Sequence, residues 1–113
     1  MNKARKYEKK QGRTPIDVSD RITGYDIESK DNSGKVVRYI EVKGRKSNVQ
    51  VALTDNEYET ALRLGNKYFV YVVTTKGIQI VRNPAQSCGI EQANQVVWTL
   101  KNWQEKAINV DFA

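Results

Sequence analysis

The sequence predicts an α/β fold, with a central mixed β-sheet and flanking helices. Three stretches carry that expectation. Residues 24–45 hold two alternating apolar/polar runs around the polar segment 30–35, the pattern of a β-hairpin. Tyr68-Phe69-Val70-Tyr71-Val72-Val73 is nearly continuously apolar and rich in aromatic and β-branched residues, as a strand buried on both faces in mid-sheet requires. Between them, Thr54-Asp55-Asn56-Glu57 reads as a capping box, with Thr54 as N-cap and Glu57 three residues on.

From the N-terminus, residues 2–11 predict a short helix with a thin apolar stripe of Ala4, Tyr7 and Gln11, stopped by Gly12. So short and charged a helix must dock to persist; it reads as the cut end of a longer helix in a larger protein. Residues 14–19 predict a short strand with Ile16 and Val18 on one face and Pro15 at its start or on an edge. A loop over 19–23 leads to the hairpin.

In the hairpin, Tyr25 and Ile27 fall on one face and Asp26 and Glu28 on the other. On the second run Ile40 and Val42 oppose Tyr39, Glu41 and Lys43. A two-residue loop at Asn32-Ser33 pairs Asp31 with Gly34, so that Asp26 lies opposite Tyr39 and diagonal to Glu41. A type I turn with Gly34 as a left-handed bulge residue shifts the pairing by one. That sends Asp26 to the other face unless a second bulge corrects it. Asp-Asn-Ser-Gly suits either turn. The apolar pattern favours the first, because it groups Ile27 with Ile40 and Val42.

Asp26 and Glu41 on adjacent strands can hold a hard divalent cation such as Mg²⁺ (or Mn²⁺), and the Val42 carbonyl can add a third oxygen. Lys43 on the same face can orient a water or offset charge on a phosphorane-like transition state. Asp26 … Glu41-x-Lys43 resembles the PD-(D/E)xK phosphodiesterase site. The longer string Gly24-Tyr25-Asp26-Ile27 … Ile40-Glu41-Val42-Lys43-Gly44-Arg45, followed by Leu53-Thr54-x-x-Glu57-Tyr58, is similar to the C-terminal domain family of the plant NO VEIN protein, over about residues 7–84. The resemblance implies a restriction-endonuclease-like core, often placed beside helicase or restriction modules; it does not by itself establish cleavage. It also draws in two accessory carboxylates. Glu8 sits where related nucleases often place a helical acid near the metal, although pairing with a basic neighbour such as Arg5 explains it more simply. Glu57 is explained by its capping box.

Beyond Lys43, Gly44-Arg45-Lys46 is a basic loop in which Arg45 and Lys46 can touch phosphates. Residues 49–53 are extended. The next helix runs to Leu64 with Tyr58, Ala61 and Leu62 on one side, and Gly65 stops it. After the mid-sheet strand, Lys76-Gly77 turns the chain and residues 78–81 return as a strand, ended by Asn83-Pro84. Residues 85–91 read as loop, 95–100 as an edge strand, and 101–107 as a short helix carrying Trp103. Trp98 and Trp103 are expected to cover the core rather than stack on bases.

At 113 residues and 39% hydrophobic content the chain is one domain with a modest core. It has no histidine and one cysteine, which excludes a zinc finger, a His-based metal site and a Ser-His-Asp triad. Cys88 cannot form an internal disulfide and is expected to be inert, consistent with a cytoplasmic setting. No run approaches a membrane span. Of the net charge of +6, residues 1–13 supply most: Lys3, Arg5, Lys6, Lys9, Lys10 and Arg13 stand against Glu8 alone. That imbalance suits a polyanion such as DNA, though a solvated basic segment explains it equally well. The leading expectation is a metal-dependent DNA nuclease, possible as a homodimer or beside a helicase or restriction subunit. The alternative is a DNA- or protein-binding module of the same fold that does not cut.

Overall fold

The computed structural model describes residues 1–45, 50–94 and 97–112, with 93 and 94 as backbone only. In chain order the elements are α1 (Asn2–Lys10), β1 (Thr14–Asp17), β2 (Ile27–Lys30), β3 (Val36–Gly44), β4 (Ala52–Thr54) and α2 (Asp55–Leu64). There follow β5 (Tyr68–Val73), β6 (Gly77–Arg82), α3 (Pro84–Ser87), β7 (Gly89–Asn94), β8 (Val97–Lys101), α4 (Trp103–Lys106) and β9 (Ile108–Asp111).

The fold is α/β. A six-stranded mixed sheet runs β1-β2-β3-β5-β6-β9, and β4-β8-β7 form a smaller antiparallel sheet. Among the described residues only β3 and β5 pair in parallel, α2 carrying the chain over between them. The apolar run of β5 fits its place between β3 and β6: its first five residues are buried. Alternation along the strands divides the core in two. Ile27, Ile40, Phe69, Tyr71, Ile78 and Ile80 meet Ala4 of α1 on one face. Tyr68, Val70, Val72 and Val81 meet Ala61 of α2 and the small sheet on the other. Among the described residues no helix is long and apolar enough to cross a membrane.

The hairpin takes the bulged route. Gly34 has φ +85°, its N–H donates to Asp31 O, and Asp31 N–H donates to Lys35 O, as a type I turn with a left-handed glycine requires. A second irregularity between Ser29 and Lys30 shifts the register again, so that Ile27 pairs with Ile40 and Glu28 with Tyr39. Two single-residue shifts restore the original facing. The pattern of faces therefore survives although the predicted two-residue loop does not form.

Other expectations are corrected by burial. Ile16 is 39% exposed and Leu62 55% exposed, so neither joins the core. In α2 the inward side is Thr60 and Ala61. Tyr25 leaves Ile27 and packs edge-on to Tyr39 at 5.0 Å, on the α2 side. The tail is more ordered than a loop with an edge strand: β8 sits in the middle of the small sheet, and β9 extends the large one beyond β6. Trp103 is buried, and the free thiol of Cys88 is buried with its pKa pushed up by burial. Trp98 is half-buried, stacked on Tyr58 at 4.3 Å with its indole N–H donated to Asp55.

Candidate functional site

On the α2 side of the sheet, β3 presents Tyr39, Glu41 and Lys43. Asp26 lies at the bend just before β2, near enough to Glu41 for its charge to raise the Glu41 pKa. Asp26 is tied there twice: its N–H donates to Ile40 O at 2.8 Å, and its Oδ2 accepts Val42 N–H at 2.9 Å. Within a strand the N–H and C=O of one residue point the same way, so the Val42 carbonyl is also turned toward the Asp26 side.

Lys43 Nζ lies 2.9 Å from Glu57 Oε1 and 3.4 Å from Glu41 Oε2. Glu57 is held in turn by the Thr54 N–H at 2.9 Å, while Thr54 Oγ1 accepts Glu57 N–H at 3.2 Å. The capping box is formed, and the same carboxylate that closes it also grips the lysine. Glu57 thus has both a structural and a site-facing partner. The wall behind is Tyr68, whose hydroxyl donates to Gly24 O at 2.8 Å.

Two carboxylates, Glu41 and Glu57, therefore share one ammonium, and the charge of Asp26 bears on Glu41. Glu41 is 6% exposed, and burial, then the charge of Glu57, push its pKa up to about 9 against the pull of Lys43. Burial also opposes ionisation of Glu57, yet Lys43 and the Thr54 N–H hold that carboxyl below its ordinary value. The pair thus divides into a protonated Glu41 and an ionised Glu57. Burial raises the Tyr68 hydroxyl pKa, with the charges of Glu41, Glu57 and Asp26 adding to it.

The remaining expected site residues are spread out. Arg45 is exposed just past the end of β3, its Nη1 donating to Gly44 O. Lys46 lies outside the described residues. Glu8, expected as an accessory acid, is instead fully buried on the α1 side of the sheet, away from Glu41. There it accepts from Arg13 at 2.6 and 2.9 Å, from Ser29 Oγ at 2.8 Å and from Tyr71 OH at 2.6 Å. Alternation explains this, since Ser29 shares its face with Ile27, which packs on the α1 side. Tyr68 was legible only as core. Its nearness to the acids follows from the parallel pairing of Tyr39 with Tyr68, which no local pattern announces.

Among the described residues no group of three or more His, Cys, Asp or Glu side chains is arranged to hold a metal ion. Asp26, Glu41 and the Val42 carbonyl, the groups expected to hold a cation, offer only oxygens, the donor type that Mg²⁺ takes while keeping several waters.

No curated protein matches the chain. A family model does, over residues 1–86, which include α1, the hairpin, α2 and β5 and so every element that builds the site. The chain belongs to the family described as Protein NO VEIN, C-terminal.

Proposed function

We propose that the chain is a metal-dependent nuclease-like domain that hydrolyses DNA phosphodiester bonds, with a restriction-endonuclease-like core. One observation carries the reading: the Asp26 carboxylate is held against β3 at the Val42 N–H, between Glu41 and Lys43 in that strand, and Lys43 Nζ lies 3.4 Å from the Glu41 carboxyl. Asp26, Glu41 and the Val42 carbonyl would hold Mg²⁺ or Mn²⁺. Bound there, the cation supplies Lewis-acid charge at a phosphoryl oxygen and acidifies a water. Lys43 Nζ balances charge building on the phosphoryl oxygens. Arg45, just past the end of the same strand, takes a neighbouring phosphate, with Lys46, next in the sequence, as a further candidate. Glu41 must give up its proton to serve as a ligand, so cation binding is coupled to proton release. The setting is the cytoplasm, beside a helicase or restriction subunit.

A second reading is favoured by the pairing of Lys43: the ionised Glu57 lies 2.9 Å from its Nζ, with the Glu41 carboxyl at 3.4 Å, so the ammonium already has its charge met. In that reading the domain binds DNA without cutting it. Plasmid nicking with Mg²⁺ or Mn²⁺ separates the two. The nuclease reading expects nicking that Lys43→Ala, Asp26→Ala and Glu41→Ala each abolish. DNA retention with no nicking under either metal leaves the binding module.

A further inference from the structure

The carboxyl ends of β3 and β5 open onto a groove that the acidic site does not use. Its middle is a recess of about 510 Å³ between the start of α1 and the end of β3, lined by Lys3, Gly44, Arg45, Thr74 and Thr75 among others. Arg45 and the two threonines carry it into a second recess, of about 420 Å³, that reaches Lys76 and Asp111. Lys3 carries it the other way along α1, where Lys6, Tyr7 and Lys10 face Phe112 across a third recess of about 420 Å³.

Five cations line this groove: Lys3, Lys6, Lys10, Arg45 and Lys76. Among the described residues none of them is within ion-pair distance of a carboxylate. Lys3 lies over the Phe112 ring at 4.8 Å, which leaves its charge unneutralised. Asp111 is the one acid in the lining. Lys3, Lys6 and Lys10 share a side of α1 and span roughly 10 Å at the helical rise, the axial advance of about three nucleotide steps of one strand at ~3.4 Å each. A row of unpaired cations at that spacing suits a polymer with a phosphate at every unit better than an acidic protein surface, where carboxylates are sparse and mixed with cations.

We propose that this groove is a track for the phosphodiester backbone of DNA, bound by Lys3, Lys6, Lys10, Arg45 and Lys76. The proposal deepens the nuclease-like reading by seating its substrate, yet binding in the groove needs neither metal nor cleavage. A strand leaving Lys43 over the end of β3 meets Arg45 first and then passes between the β5–β6 turn and α1.

The test is fluorescence anisotropy of a short labelled DNA duplex at low salt in EDTA. The variants are Lys3→Glu/Lys6→Glu/Lys10→Glu and Arg45→Glu/Lys76→Glu. Lys35→Glu/Lys67→Glu/Lys106→Glu makes the same kind of charge reversal at exposed positions off the groove. Each groove variant is expected to weaken binding about tenfold or more, with a salt slope lower by about 1 for every phosphate no longer neutralised. The off-groove triple is expected to change affinity less than about threefold, and Asp111→Asn to tighten binding. Glutamine at the same lysines repeats the test if the glutamate set does not fold by circular dichroism. Equal loss in the off-groove triple overturns the proposal, as does full binding by the groove variants or no binding by the unaltered chain. If nicking fails while groove-dependent binding stands, the nuclease reading alone falls.

Discussion

The carboxylate of Asp26 accepts the backbone N–H of Val42 at 2.9 Å. A side chain just ahead of β2 thereby substitutes for a ladder partner of β3. Asp26→Asn keeps an oxygen acceptor for Val42 and removes the charge. It is expected to change stability by less than about 1 kcal/mol while weakening Mn²⁺ binding about tenfold. Asp26→Ala leaves the Val42 N–H short of a partner and is expected to cost about 1–2 kcal/mol as well. Calorimetric Mn²⁺ titration with thermal melts checks both. Unchanged Mn²⁺ affinity in Asp26→Asn removes this residue from any cation site.

Glu41 gives the protein an inverted pH response. Its folded pKa lies above the ordinary value of 4.5, at about 9, through burial first and Glu57 second. Between those two values the folded state holds a proton that the unfolded chain has released. Stability from this group is therefore full below pH 4.5 and falls as pH rises toward 9. Glu57, shifted the opposite way, loses its contribution only below its ordinary value of 4.5, so the upper window is not its doing. In EDTA, urea melts are expected to show a loss on the order of 1–3 kcal/mol between pH 5 and pH 9. Glu41→Gln, neutral throughout, is expected to flatten that slope and to exceed the unaltered chain in stability at pH 8. A flat profile in the unaltered chain means that Glu41 is ionised when folded.

The hairpin faces, the capping box and the buried β5 strand were legible because each is a local pattern: alternation, a three-residue spacing, an apolar run. The turn was not, since Asp31-Asn32-Ser33-Gly34 serves both turn types. What preserved the site was the shift between Ser29 and Lys30, a tertiary adjustment without a sequence mark. The pairing of Lys43 with Glu57 and the turning of Glu8 to the opposite face depend on which side of the sheet each helix covers, and periodicity within a helix is silent on that. In the tail the strand now seen as β8 and the short helix carrying Trp103 were legible; β7 and β9 were not, being short and polar, and the pairings that hold β8 and β9 to the rest of the fold are distant in sequence.

Glu8 tests whether the buried network on the α1 side is structural. Burial opposes its ionisation, yet hydrogen bonds from Arg13, Tyr71 and Ser29 hold its pKa below the ordinary value. The linkage sign is that of a lowered carboxyl: its contribution is present above pH 4.5 and is lost as pH falls through the folded value. Glu8→Gln leaves the Arg13 guanidinium and two hydroxyls without their anion and is expected to cost roughly 2–4 kcal/mol at pH 7, and less once the pH has fallen through the folded Glu8 value. Arg13→Gln is expected to cost less, because Arg13 is partly solvated. Mn²⁺ affinity is expected to be unchanged in both; a fall in either variant that still folds would return Glu8 to the cation site.

Gly24 is the point at which α2 fixes the approach of the chain to Asp26. Its φ is +84°, and a Cβ there would run into Thr60 Oγ1 and come within 3.2 Å of Asn56 O. Thr60 cannot swing clear, since it is buried and donates to Asn56 O at 2.7 Å. The Gly24 carbonyl also receives the Tyr68 hydroxyl. Gly24→Ala therefore combines a left-handed backbone with a steric clash and is expected to cost roughly 2–4 kcal/mol. Thr60→Ala removes the clashing oxygen. In the double variant the steric share, about 1–3 kcal/mol, is expected to be recovered, leaving the backbone share of about 1 kcal/mol. Gly24→Ala is also expected to weaken Mn²⁺ binding at a temperature where the variant is still folded, because the residue that turns the chain sits two positions before the carboxylate. Strict additivity of the two substitutions in urea melts would show that Gly24 does not bear on Thr60, and that the seating of Asp26 depends on the β2–β3 ladder alone.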